Sequence, residues 1–392
     1  MTSKRVLISG AGLAGPALAW WLSRNGFRPT VVERAPALRD GGYKVDVRGA
    51  AIEVLKRMGV YEAARAADTG MRTVTYVRRD GRPIAVLDAN LLMGRRGDDI
   101  EILRSDLTRI LHEATSSKTE YLFGDAIGSL TQDADGVDVT FESGLSRRFD
   151  LVVGADGLHS ATRRLVLGET PLSYLGAYIS IFSVPNHLGI DREEVMYTEP
   201  GRLVFAYSMA PGQTARAGFI FATPPLSYDR RDVAGQKELV KDAFAGSGWE
   251  VTRLLAAADD ADDFYLDSMS QVELPRWSAG RVALIGDAAH CPAPASGQGT
   301  SLALVGAYVL ARELAEGDHN TAFTAYESAM RPYVAKNQAF GRKMAKDMAP
   351  GSRWGIAFRN YGMRTLKYHP RKERVIDRVL RPMHEAANAI AI

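Results

Sequence analysis

Apolar residues fall into short unbroken runs at 5–9 (RVLIS), 29–33 (PTVVE), 149–156 (FDLVVGAD) and 281–285 (RVALI). Runs this short and continuous predict strands of a parallel sheet buried on both faces. Between the first two, Leu13, Ala17, Trp20, Trp21 and Leu22 keep a helical period that stops at Asn25-Gly26. Pro16 is compatible with that helix, whose first turn does not need its N–H. The result is a β-α-β unit. The spacing further predicts a helix over 50–67 and strands around the turn Arg79-Asp80-Gly81-Arg82. A helix from Ser105 to Thr115 with Ser105 as N-cap, a half-buried strand over 136–142 and a helix over 300–316 complete this part.

From Tyr174 to Thr223 the rhythm changes to alternation. Segments such as ISIFSV, EVMYT, RLVFAYSMA and AGFIFAT are joined by turns like Glu199-Pro200-Gly201, the pattern of an antiparallel sheet. An α/β domain over 1–170 and 276–320 is therefore expected, interrupted by a sheet domain over 171–275. Helices with an exposed basic face are expected over 321–392.

Composition narrows the classes. Of 392 residues 46% are hydrophobic and 24% charged, and the net charge is +3, which excludes a disordered chain and a polycation that coats nucleic acid. The charge is uneven: nine Lys or Arg and two acids between Ser352 and Pro382 make a local +7 and leave −4 elsewhere. That tail reads as a solvated helix face, as a contact for an anionic membrane surface through Val375, Ile376, Val379 and Leu380, or as an attractor for the phosphates of a small ligand. A single cysteine, Cys291, rules out an intramolecular disulfide and points to a reducing, cytoplasmic setting. No apolar run is long enough to span a membrane, so stable insertion is not expected. The seven histidines show no metal-ligand spacing and no catalytic triad is visible.

Three stretches carry chemistry. GAGLAG places Gly10, Gly12 and Gly15 around Leu13 and Ala14, between a strand and a helix, where backbone can approach a pyrophosphate. Glu33, 21 residues after Gly12, can accept from a ribose hydroxyl. The motif alone leaves NAD and FAD both open. GADGLHSATRR (154–164) follows a buried strand, and its plainest reading is a turn with Ser160 capping a helix. IGDAAHCPAPASGQG (285–299) is a Gly/Pro-rich loop whose Gly297-Gln298-Gly299 opens a helix with free amides.

In this order and spacing the three stretches resemble the single-component (class A) FAD-dependent aromatic hydroxylases. That family includes para-hydroxybenzoate hydroxylase and the tetracycline-degrading flavin monooxygenases. The resemblance spans nearly the whole chain. It implies an α/β fold with a discontinuous Rossmann-like FAD-binding domain, an inserted antiparallel-sheet substrate domain and a helical C-terminus. It also implies roles: Glu33 on the adenosine ribose, Arg34 beside the adenine, and Arg104 on the FAD linker. Asp287 would meet the ribitol or pyrophosphate, with Pro294, Gly297, Gln298 and Gly299 along the isoalloxazine. Asp46 and Arg48 fall near the mobile ring, Asp156 and Arg163 serve FAD and NAD(P)H together, and Arg39 lies where the reductant would dock. Two departures are Ser301, where the commoner family sequence has asparagine, and Gly306, where many members carry an acid.

The function so implied is an NADPH- or NADH-driven monooxygenase. A flavin hydroperoxide would insert one oxygen of dioxygen into a planar phenolic, enolic or polycyclic substrate, without catalytic side chains of the triad type. Phe182, Met196, Tyr197, Phe205, Tyr207, Met209, Phe219 and Phe221 are the candidate pocket residues, most of them core. His290 reads as a structural hydrogen bonder and Cys291 as a small hydrophobe. A monomer or weak dimer with no nucleic-acid partner is expected. The alternatives are a flavin-dependent prenyl-chain reductase and a non-catalytic carrier on the same fold; the halogenase segment GxWxWxIP is not present.

Overall fold

The computed structural model describes residues 3–38, 42–210, 212–366, 368–370 and 372–392. Its first sheet has six strands in the order Ser278–Ala279, Val282–Leu284, Leu151–Gly154, Arg5–Ser9, Arg28–Glu33, Glu120–Phe123. All neighbours are parallel except the first pair. The strands are apolar on both faces because both are covered. Val6, Ile8, Val31, Leu151 and Val153 share a core with the helices Ala14–Arg24 and Gly299–Glu316. Leu7, Val32, Val152 and Val282 point the other way, into a three-stranded sheet of Ile127–Gln132, Val137–Phe141 and Ser146–Phe149. Each such side chain contributes roughly 1.5–3 kcal/mol on burial. A one-residue slip would exchange the two faces of a strand, so the register is firmly set.

The second sheet has seven strands in the order Tyr265–Gln271, Ser173–Val184, Ala215–Ala222, Arg202–Ser208, Glu193–Glu199, Thr73–Val77, Pro83–Asp88. It is antiparallel except where Glu193–Glu199 runs parallel to Thr73–Val77. Residues 73–88 therefore belong to this sheet although they precede the alternating stretch in the chain. Tyr178, Phe182, Tyr197, Phe219 and Phe221 form its back face and pack with residues of the helices Val233–Ala243 and Val251–Ala256. Ile179, Met196, Leu203, Phe205 and Ile220 form the front face, toward Met344 and Met348 of the long helix His319–Met348.

Two expectations need correction. The helix expected over 50–67 breaks into Ala50–Met58 and Tyr61–Ala66, because Gly59 takes the left-handed conformation (φ 74°) that ends a helix. The helix expected from Ser105 starts at Arg104, with Leu103 and not Ser105 at its cap position. There the strand Ile100–Leu103 pairs with Lys44–Val47 up to its last residue, and the Arg104 N–H donates to the Tyr43 carbonyl at 3.0 Å. That pairing leaves no room for a capping residue. Helices Arg353–Leu366 and Lys372–Ala387 end the chain. Among the described residues no helix is long and apolar enough to cross a membrane.

Candidate active site

The glycine turn is built by close approach. Gly10 has φ +108°, and a Cβ on it would lie 2.6 Å from the Ala155 carbonyl oxygen. A Cβ on Gly15 would lie 2.0 Å from the Gly10 oxygen. Glycine is required at both. Leu13 and Ala14, both buried, carry the turn into the helix. At the end of the next strand, Glu33 accepts from the Ala11 and Ala35 N–H groups, each at 2.9 Å. Its carboxylate is thereby fixed at the mouth of the turn, with lone pairs left for hydroxyl donors. Arg34 is directed elsewhere, into an exposed ion pair with Glu142 (2.8 Å).

Arg104 is exposed to solvent yet ringed by Tyr43, Asp287, Tyr265 and Glu33, the situation of a side chain lining a cleft. Its Nη2 is 3.5 Å from the position a Cβ would take on Gly12. Its guanidinium has no hydrogen-bond partner among the described residues. Across the cleft, burial raises the Asp287 pKa against the pull of Arg104. Asp287 Oδ1 lies beside Gly299, the first residue of an 18-residue helix. The preceding loop is a single turn, Pro294–Ser296, followed by Gly297 in the left-handed conformation (φ +61°). Gln298 is fully buried, and neither Oε1 nor Nε2 has a hydrogen-bond partner among the described residues.

The loop is held from behind. Gln271 Nε2 donates to the Pro292 and Gln338 carbonyls (2.9 and 2.8 Å), and a Cβ on Gly341 would lie 2.2 Å from the Pro292 oxygen. His290 is buried, with Nε2 3.1 Å from the Tyr326 hydroxyl. Burial pushes its pKa down to about 3, so it is a neutral structural group. Cys291 is buried, and burial pushes its thiol pKa well up.

The 154–164 stretch does what its plain reading expects. Ser160 caps the helix Ala161–Leu167, accepting from the Arg163 N–H at 2.8 Å. Asp156 accepts from the Ser160 hydroxyl and, through Oδ2, from the Thr162 N–H and hydroxyl, both at 2.9 Å. Arg163 is buried and donates to the Ala288 and Leu158 carbonyls (3.0 and 2.7 Å) and to the Thr170 hydroxyl (2.9 Å). Both side chains are occupied by protein partners, and Arg163 ties this turn to the Asp287 segment.

Asp46 and Arg48 belong to a buried ionic chain that sequence reasoning missed. Arg48 pairs with Asp46 (2.8 Å), Asp46 with Arg95 (3.2 Å), Arg95 with Glu101, Glu101 with Lys44 (3.1 Å) and Lys44 with Glu194 (2.5 Å). Burial disfavours the Lys44 ammonium, but Glu194 and Glu101 outweigh it and hold its pKa above the ordinary value. The chain runs from the seven-stranded sheet to the loop, where Asp46 Oδ2 is 4.0 Å from the Cβ position of Gly297. A charged residue inside each of the short runs KVDV and IEIL was the available signal. Arg39 lies outside the described residues.

The pocket candidates divide by face. Phe182, Tyr197, Phe219 and Phe221 are back-face core, on the side of the sheet away from the Pro294–Gly299 loop, and Tyr197 also borders a surface cavity with Arg79, Glu199 and Arg202. Met196 and Phe205 lie on the front face, half-buried, with Leu175 and Ile179 beside them. Tyr207 is buried there too, its hydroxyl accepting from the Lys44 N–H at 3.0 Å.

A family model described as an FAD binding domain matches residues 3–347. The chain belongs to that FAD-binding monooxygenase family. It is 44% identical over 342 residues, 86% of this chain and 89% of the other, to a flavin-dependent monooxygenase of an unknown prokaryotic organism. Among solved structures, the tetracycline destructase Tet(55) superposes with a TM-score of 0.86 at 40% identity, covering 99% of this chain and 98% of that one. Tet(51) gives 0.88 at 36% identity, covering 100% and 99%. The cofactor of this flavoprotein is FAD, and the observed groups suit it. A glycine turn open to phosphate, an unpaired arginine in a cleft and a buried carboxamide without protein partners all call for a polar ligand.

Proposed function

We propose that this flavoprotein uses NADPH or NADH and dioxygen to insert one oxygen atom into a planar phenolic or enolic substrate of the aromatic, polyketide or tetracycline-like kind. The observation that carries the reading is the apolar front face of the seven-stranded sheet, set against the Pro294–Gly299 loop through Ala295. Reduced FAD supplies the activation of dioxygen. The residues of the chain bind, orient and exclude water. Glu33 accepts from the ribose hydroxyls, and Arg104 donates charge-assisted bonds to the phosphate linker. Asp287 and Gln298 would bond polar atoms of the cofactor, and the free amides from Gly299 onward would offer it further donors. Asp46 and Arg48 support the loop from below. Asp156 and Arg163 act at one remove, by fixing the turns that meet the cofactor.

In this reading residues 1–170 and 276–320 hold FAD, and the substrate lies on the sheet of 171–275 together with 73–88. Met196, Phe205, Leu175 and Ile179 give a flat apolar floor that accepts a fused ring and keeps water away. No second glycine fingerprint follows residue 15, so the reductant docks transiently at the FAD cleft. Incubation with NADPH, labelled dioxygen and a panel of phenols, phenolic polyketides and tetracycline tests the proposal. The expected product carries one labelled oxygen. Label found only in water or hydrogen peroxide across the panel overturns it.

A further inference from the structure

On the inner side of the helix Arg353–Leu366, Ile356 is buried and Arg359 is half-buried. The Arg359 guanidinium carbon is 6.0 Å from the centre of the Tyr76 ring. Its Nε and Nη2 are buried and have no hydrogen-bond partner, and Arg359 makes no ion pair among the described residues. The acids in this part of the core are already committed. Glu194, which also faces Tyr76, pairs with Lys44, and Glu101 pairs with Lys44 and Arg95. A guanidinium partly withdrawn from water, with two nitrogens unsatisfied and no counter-charge, is costly, and a ligand that brings an acceptor lowers that cost.

Its position gives the ligand. Tyr76 packs into one apolar cluster with Met196, Phe205, Tyr207 and Tyr43. Tyr43 in turn stands next to Arg104 and Asp287 on the cofactor side. The proposed substrate floor therefore runs from the cofactor cleft at Tyr43 to Arg359 at Tyr76. We infer that Arg359 is a specificity-determining residue that binds an anionic oxygen of the substrate, an ionised enol or phenol, at the end of the floor remote from Tyr43. A planar guanidinium offers two N–H donors to such an oxygen or to the pair of oxygens of a β-dicarbonyl enolate. The substrate class that follows is a planar polycycle with an acidic enol or phenol at one edge. This rests on the function proposed above for the same site.

The test uses binding to the oxidised holoenzyme, followed by perturbation of flavin absorbance, with two probes of one frame. One is 2-hydroxy-1,4-naphthoquinone, whose enol is ionised at neutral pH; the other is its neutral methyl ether. The wild type is expected to favour the anion by at least about tenfold. Arg359→Gln should abolish that preference with the ether's affinity and the FAD content unchanged, and Arg359→Lys should restore part of it. Equal affinity of the wild type for both probes, binding of neither, or a preference that survives in Arg359→Gln overturns the assignment. So does an equal loss for both probes, which marks a merely structural arginine. Failure of oxygen transfer leaves this binding result standing, and loss of the anion preference leaves oxygen transfer standing.

Discussion

Replacing Lys44 by methionine removes the only cation that the structure sets against Glu194 among the described residues. Lys44 Nζ is 2.5 Å from Glu194 and 3.1 Å from Glu101, and the carboxylate side chains are 4% and 3% exposed. Glu101 keeps Arg95 and the Thr69 hydroxyl, but Glu194 is left as an isolated buried charge. Breaking a buried pair in this way costs about 3–5 kcal/mol. At roughly 1.2 °C per kcal/mol for a chain of this size, the melting temperature should fall by roughly 4–6 °C. The Lys44 pKa is raised by its two acids, so its contribution is complete below the unfolded value of about 10.5 and is lost only as pH rises through the folded one. At neutral pH the full loss is therefore expected. The double variant Lys44→Met/Glu194→Leu removes both charges and should recover most of it, giving a coupling above about 1.5 kcal/mol. Circular-dichroism melts of wild type, both single variants and the double variant, all saturated with FAD, supply the cycle. A loss below about 1 kcal/mol in Lys44→Met, or equal losses in the single and double variants, refutes the reasoning.

His290 predicts an acid sensitivity. Its folded pKa of about 3 lies below the unfolded 6.5, so its stability contribution is complete above pH 6.5 and is lost as pH falls toward 3, at about 1.4 kcal/mol per pH unit. His290→Gln, which keeps a partner for Tyr326, should flatten the urea-unfolding free energy between pH 6 and 4; an unchanged slope counts against the assignment. Arg104→Ala should raise the FAD dissociation constant by about tenfold or more, the worth of a charge-assisted bond, while circular dichroism stays native. Unchanged FAD affinity would make Arg104 a bystander of the cleft.

The parallel sheet and the glycine turn are legible because their signals are local: a five-residue apolar run, a turn only glycine can make, and an acid at a fixed offset. The front and back faces of the second sheet are equally legible as alternation, but alternation does not say which face meets the cofactor. Phe219 and Met196 look alike in the sequence and lie on opposite sides. Thr73–Val77 carries no mark of its partner Glu193–Glu199, since parallel pairing needs no connecting turn. The ionic chain from Glu194 to Arg48 was invisible for a similar reason, being assembled from four separate segments. Arg104 and Asp287 were found through family resemblance, and nothing in their local pattern distinguishes them from surface charges.

The interleaving of the two sheets has a consequence for how the chain reaches this state. The six-stranded sheet needs Arg5–Ser9 and also Val282–Leu284, and the seven-stranded sheet needs Thr73–Val77 and also Tyr265–Gln271. Each sheet thus waits for residues made late, and neither is finished before the other is nearly complete. Loop closure over such separations must precede its reward, which slows folding and keeps apolar strand edges open during synthesis. During that interval Thr73–Val77 and Pro83–Asp88 can form only a lone hairpin, which is marginal in water. The two sheets accordingly complete together, and a fragment cut at residue 170 or 275 carries an unfinished sheet.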